Sequence, residues 1–206
     1  MPVRGVIFDY GGVLCYHPTP AQIAAAAELC GVSSEEFVRA LWKHRLKYDA
    51  GQDPQEYWRT CASLMGRTFT DDFIATMIEH EIGFWSTLDD RVLAWTDQLR
   101  KHGYRTGILS NLPIPLGRKL RAWNGFLDHF DHVTFSFELG CVKPQREIYD
   151  HAVRGVGVPP DEVLFIDDRT ENIKGAREAG LHAELYSTWE DFPQIAARYN
   201  LPAARR

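Results

Sequence analysis

Cysteine is sparse in this sequence and nowhere closely paired. The four thiols, Cys15, Cys30, Cys61 and Cys141, show no C-x-x-C spacing, which argues against a zinc site and a dithiol redox motif and suits a reduced cytoplasmic setting. Long apolar runs are missing as well: none approaches the roughly 20 residues that cross a bilayer, so no membrane partner is expected. Met1-Pro2-Val3-Arg4 leads straight into a core-type strand, which leaves no space for a signal peptide and again points to the cytoplasm. Positive charge is not in surplus. With 23 Lys and Arg against 28 Asp and Glu, a formal net charge of -5, nothing favours a nucleic-acid partner. Internal repeats and low-complexity linkers are lacking too. The 206 residues read as one α/β unit with an insertion, and a 45% hydrophobic content suffices for its core.

What is present is organised around Val6-Ile7-Phe8-Asp9-Tyr10-Gly11-Gly12-Val13-Leu14. A continuous apolar run reads as a central strand of a parallel sheet, and the paired glycines permit a sharp turn just past its carboxyl end. Asp9 therefore stands at a strand tip, where open α/β sheets bind ligands; it either caps the turn or serves as nucleophile, metal ligand or both.

For the next seventy or so residues no strand pattern occurs. Gln22 to Cys30 is an alanine-rich helix closed by Gly31, and Ser33-Ser34-Glu35-Glu36 offers a capping box for a second helix that carries Phe37, Leu41 and Trp42 and ends near Asp49-Ala50-Gly51. Asp53-Pro54 opens a third, with Tyr57, Trp58, Cys61 and Leu64 at helical spacing, and a fourth runs from about Asp71 to Gly83. The expectation is a four-helix insertion, residues 17-86, within a core of residues 1-16 and 87-206.

From Asp89 helices alternate with strands. A helix through His102 precedes the strand Tyr104 to Leu109, which finishes at Ser110-Asn111; a helix follows Pro115, then the strand His132 to Ser136 and a loop to Lys143-Pro144. A helix through Val153, the strand Val163 to Ile166 ending at Asp167-Asp168, a helix capped by Thr170, a short strand near Ala183 to Tyr186 and a helix from Trp189 to Tyr199 complete the chain, with a frayed tail from Pro202 to Arg206. The fold class is α/β: a Rossmann-like parallel sheet with helices on both faces.

If the strands ending at Asp9, Ser110-Asn111 and Asp167-Asp168 are neighbours, their tips meet in one crevice that Lys143 can reach. Three carboxylates at that density repel one another unless a cation neutralises them, and an all-oxygen set suits Mg²⁺. Lys143, Ser110 and backbone N–H groups around Gly11 and Gly12 would hold the oxygens of a phosphoryl group attacked by Asp9.

In order and spacing, Phe8-Asp9-Tyr10-Gly11-Gly12-Val13-Leu14, Leu109-Ser110-Asn111, Lys143-Pro144 and Phe165-Ile166-Asp167-Asp168 with Asn172 resemble the four motifs of the haloacid dehalogenase-like hydrolases, and the insertion resembles the helical cap of their first subclass. The resemblance covers nearly the whole chain and is nearest to sugar-1-phosphate phosphatases and the N-terminal phosphatase domain of soluble epoxide hydrolases. It implies Asp9 as nucleophile and Mg²⁺ ligand, the Gly11 carbonyl and Asp168 as further ligands, and Asp167 as the neighbour that orients water or Lys143. It also implies Ser110, Asn111 and Lys143 as phosphate-binding residues, and Asn172 as a support behind the metal site. The implied partner is a small phosphorylated metabolite, sugar phosphates included; monomer and homodimer stay open.

One position departs from the family pattern. Its phosphatases usually carry an Asp two residues after the nucleophile as general acid and base, and here that residue is Gly11; such a loss typically costs about 10²–10⁴-fold in rate. Two alternatives therefore remain: a 2-haloacid dehalogenase using Asp9 on carbon, and a catalytically weak binding or regulatory protein. His17, shortly after the first motif, is either an exposed loop residue or the missing acid–base group. Arg39, Lys43 and Lys47 at i, i+4 and i+8, with His44 and Arg45 beside them, form a solvated basic face or a surface that attracts an anionic substrate. His129-Phe130-Asp131-His132 lacks enough ligands for zinc, Trp42, Tyr57, Trp58 and Trp85 are expected in the core of the insertion, and Cys141 reads as packing.

Overall fold

In the computed structural model, which describes residues 2–204, five parallel strands form one sheet in the order β3-β2-β1-β4-β5. These are β1 Gly5–Phe8, β2 Arg105–Ser110, β3 His132–Phe135, β4 Val163–Asp167 and β5 His182–Leu185. The period-2 alternation of side chains divides the strands between two cores. Val6, Phe8, Ile108, Leu164 and Ile166 join the larger cluster on one face, whereas Ile7, Leu109, Val163 and Phe165 join the cluster on the other. Both faces are apolar because both are covered, and this is why β1 reads as an unbroken hydrophobic run. Phe8 pairs with Ile108 on one side and Ile166 on the other, so β1 is central and Asp9 emerges between its neighbours' tips.

Between β1 and β2 lie α1 Pro20–Cys30, α2 Ser34–Lys43, α3 Arg45–Asp49, α4 Pro54–Leu64 and α5 Asp71–Phe84, then α6 Asp90–Lys101. Capping follows the sequence closely. Thr19 and Gln22 form a capping box that starts α1 two residues before the expected Gln22, and Ser33 and Glu36 form the box expected for α2.

The insertion differs from the four expected helices in one place. The second is broken at His44, whose φ of -120° and ψ of 20° leave the helical region, so the insertion has five segments. The break turns Arg45 inward. Its Nε donates to Asp49 Oδ1 at 2.8 Å and its Nη1 meets Glu81 Oε1 of α5, and all three side chains are buried. Arg45 therefore leaves the expected basic face, of which Arg39, Lys43 and Lys47 remain exposed.

The remaining helices are α7 Ile114–Ala122, α8 Ser136–Leu139 in place of an expected loop, α9 Arg146–Val156, α10 Thr170–Glu178 and α11 Phe192–Arg198. Arg169, not Thr170, is the N-cap of α10. The tail departs from the frayed expectation as far as Ala204: the buried Trp95 indole needs an acceptor and donates to Pro202 O at 2.9 Å, and Leu201 is buried. Arg205 and Arg206 lie outside the described residues. No helix among the described residues is long and apolar enough to cross a membrane.

A seam joins insertion to core where Ser136 Oγ donates to Asp49 O at 2.5 Å and accepts from Leu112 N at 3.0 Å. A second tight approach lies behind the strand tips, where a Cβ on Gly175 of α10 would stand 2.7 Å from Pro144 Cβ and 3.0 Å from Pro144 O. Gly175→Ala gains about 1 kcal/mol of helix propensity but overpacks a backbone contact at a cost of about 1–3 kcal/mol. We expect net destabilisation in urea unfolding, and a variant more stable than wild type would show that the Pro144 segment yields freely.

Candidate active site

The parallel sheet delivers Asp9 from the end of β1, Ser110 from the end of β2 and Asp167-Asp168 from the end of β4, while Lys143 arrives from the segment between α8 and α9. Lys143 is the hub. Its Nζ lies 2.8 Å from Asp9 Oδ1, 2.7 Å from Asp167 Oδ2 and 3.1 Å from Leu109 O, so each ammonium proton has an acceptor and the group is 2% exposed.

Asp167 is enclosed by donors. Besides Lys143 it accepts from Asn172 Nδ2 at 3.0 Å on each oxygen and from Arg169 N at 2.8 Å. This saturation makes Asp167 a positioning residue for Lys143 and the start of α10. Asn172 supports the cluster through these two bonds to Asp167.

Asn111 sits differently from the expected phosphate contact. Its Oδ1 accepts from Lys143 N at 2.7 Å and its Nδ2 donates to Lys143 O at 3.0 Å, a clasp that fixes the lysine backbone to the β2 tip. The Gly12 N–H, also expected at the phosphate, donates to Cys15 O at 2.8 Å inside the turn. Gly12 has φ +79°, and a Cβ there would lie 2.6 Å from both Asp168 Oδ2 and His17 Nε2, so position 12 requires glycine twice over. His17 does reach the crevice, with Nε2 2.9 Å from Asp168 Oδ2, and that hydrogen bond raises its pKa above the ordinary histidine value.

The crevice holds about 80 Å³ of free space and is walled on the far side by Trp42, Arg45 and Asp49 of the insertion together with Trp85. Tyr57, Trp58 and Trp85 are buried as expected, Trp85 with its ring 3.1 Å from where a Gly11 Cβ would be, but Trp42 is 43% exposed. Arg45 and Asp49 were not legible as site residues; their one signal is an opposite-charge i, i+4 pair set among aromatics, Trp42 and Tyr48. His129 Nδ1 pairs with Asp97 at 2.7 Å, and His132 packs against the His151 ring.

Electrostatics follow from burial. Desolvation pushes the Asp9 carboxyl up to about 7, with Lys143 opposing and Asp167 and Asp168 adding to the rise. Burial works against the Lys143 ammonium too, yet Asp167 and Asp9 hold its pKa above the ordinary lysine value. Asp49 is pushed up to about 6 by burial, against the pull of Arg45. Ligand oxygens of Asp9, Asp167 and Asp168 lie within 4.8 Å of one another, and one lysine does not balance them. Donors on Asp9 converge on Oδ1 and the His17 contact on Asp168 meets Oδ2, which leaves Asp9 Oδ2 and Asp168 Oδ1 for a ligand. An all-oxygen, anionic donor set of this kind fits a hard divalent cation.

A family model for haloacid dehalogenase-like hydrolases matches residues 3–180. The sesquiterpene phosphatase astK of Aspergillus oryzae is 25% identical over 86% of this chain and 87% of its own, and the D-ribitol-5-phosphate phosphatase of Bacteroides thetaiotaomicron 26% identical over 86% and 89%. A haloacid dehalogenase family enzyme of Bacteroides thetaiotaomicron, crystallised with magnesium and inorganic phosphate, superposes with a TM-score of 0.75 at 24% identity, over 94% of this chain and 98% of that one. The chain belongs to the haloacid dehalogenase-like hydrolases.

Removing the central ammonium tests the cluster. Lys143→Met leaves two buried carboxylates facing each other, at an expected cost of about 3–5 kcal/mol in urea unfolding. Adding Asp167→Asn to it should recover part of that loss, and strictly additive losses would contradict the bridge.

Proposed function

We propose that this hydrolase is a Mg²⁺-dependent phosphatase acting on a small phosphate monoester. The observation that carries the reading is the buried Lys143 ammonium between Asp9 and Asp167, with Asp168 and Ser110 at the same strand tips. Two curated relatives named as phosphatases support it. The Asp9 carboxylate would attack phosphorus in line and form an aspartyl-phosphate, which water then hydrolyses, so that one hard displacement becomes two easier ones. Lys143 holds Asp9 by Oδ1, fixes the attacking oxygen and places positive charge where the transferring group gathers negative charge. Ser110 offers a hydroxyl to a phosphoryl oxygen.

Asp9, Asp168 and the Gly11 carbonyl would hold Mg²⁺, which supplies charge neutralisation for the phosphoryl oxygens. Residues 17-86 act in this reading as a cap over the core of 1-16 and 87-206, excluding bulk water through Trp42, Arg45 and Asp49. Gly11 brings no carboxyl to the leaving oxygen and Trp85 fills the adjoining space, so the site favours leaving groups that depart without strong acid assistance.

Phosphate release from a panel of acyl, aryl, sugar and nucleotide monophosphates should require Mg²⁺ and stop in EDTA. Asp9→Asn should lower it by roughly 10³-fold or more, the order expected for loss of a nucleophile. Halide release from 2-haloacids in EDTA would instead establish the dehalogenase alternative, and retention of phosphatase activity in Asp9→Asn would remove Asp9 from the chemistry.

A further inference from the structure

Beside the crevice lies a second cavity of about 410 Å³, and the two share the walls Trp85 and Leu116. Beyond those walls the second cavity is lined by Leu120, Ala122 and Trp123 on one hand and by Ser86, Lys119 and Asn124 on the other. The wall nearest the nucleophile is therefore an indole, standing over Gly11 two residues from Asp9, and it opens toward more apolar surface.

Most polar side chains of the crevice, Ser110 and Arg169 apart, are engaged with one another. Asp49 accepts from Arg45, Asn111 clasps the Lys143 backbone, Asn172 holds Asp167 and His17 holds Asp168. A polyol placed among them would have to displace these bonds to gain its own, an exchange that yields little. Two aromatic rings keep open surface, although Arg45 lies over that of Trp42 and Phe126 packs against that of Trp123: Trp42 is 43% exposed and Trp123 is 37% exposed, each at the edge of a cavity. An exposed aromatic at a cavity edge gains by covering hydrocarbon.

We infer that the phosphate ester taken by this site carries an apolar leaving group, an alkyl-substituted aryl alcohol rather than a polyol, whose hydrocarbon runs from Asp9 past Trp85 and Leu116 to Trp123. The inference rests on the phosphatase reading above and narrows its substrate class. Continuity carries it: the two cavities share Trp85 and Leu116 as lining residues, so a chain leaving the nucleophile has apolar surface to follow.

Binding of ethyl-, butyl-, hexyl- and octylphosphonate to the Mg²⁺-loaded protein by calorimetry tests the inference without requiring turnover. Chain length varies burial while the phosphonate stays the same, and Kd should fall about two- to fourfold per methylene. Trp123→Ser should flatten the hexyl-to-octyl step and Trp123→Phe should restore it. A Kd independent of chain length, an unchanged slope in Trp123→Ser, or tighter binding of a polyol phosphonate than of octylphosphonate would each overturn the inference. Acetyl phosphate turnover reports the chemistry separately. A steep chain-length dependence with no phosphate released from acetyl phosphate would keep the apolar subsite and remove the phosphatase reading, whereas turnover with a flat series would do the reverse.

Discussion

The ammonium of Lys143 is what allows the carboxyl ends of three strands to sit together. Asp9 and Asp167 are buried on adjacent strands, and without a cation between them their proximity would drive protons onto both. Lys143 also takes the Leu109 carbonyl, so one side chain ties β1, β2 and β4 at their tips. Such a bridge works only if the lysine cannot wander, and its backbone is fixed on both sides: Asn111 grips its N–H and C=O, and Gly175 lets α10 press against Pro144. Asn172 and the Arg169 N–H then satisfy the remaining acceptor capacity of Asp167, which completes the network.

The insertion has a buried charge of its own, and its effect on shape is direct. Arg45 is enclosed by Asp49, Glu81 and the rings of Trp42 and Tyr48, and the helix interruption at His44 accompanies that inward turn. Since the Asp49 carbonyl also receives the Ser136 hydroxyl, the segment that walls the crevice is fastened to the core by the same residue that pairs with Arg45. The wall of the crevice and the seam between insertion and core thus share residues.

Much of the core was legible because a parallel sheet leaves little freedom. Once β1, β2 and β4 are recognised as strands, right-handed crossovers put Asp9, Ser110 and Asp167 at one edge, and Lys143 follows from a loop at the same edge. The amphipathic face of α2 gave Phe37 and Leu41 for the same reason of period. What escaped was decided by tertiary contacts. Arg45 reads as one more cation on a basic stripe until Glu81, 36 residues later, is brought against it, and Trp42 reads as core because aromatic content alone does not tell a wall from an interior. The bonds made by the Asn111 side chain and the Gly12 N–H could not be read in advance because a motif gives residue type and position, not which partner has already taken the hydrogen bond.

The chemistry depends on a balance that the protein alone leaves incomplete. A carboxyl group is a nucleophile only when ionised, yet Asp9 stands at about 7 even with Lys143 in contact, because burial and two neighbouring carboxylates outweigh one ammonium. Additional positive charge beside Asp9 and Asp168 would bring Asp9 back toward the ordinary carboxylate range, which gives the proposed divalent cation a role before any phosphate arrives. Trp85 bears on the same balance from the opposite side. Covering Gly11 with an indole keeps water from the nucleophile and deepens the desolvation that raises Asp9, while removing the space a general acid would need. In the proposed reaction the site would therefore rely on charge placed around the phosphoryl group rather than on a proton delivered to the leaving oxygen, and a site of that kind can use a hydrophobic leaving-group wall that an acid–base carboxylate would not permit.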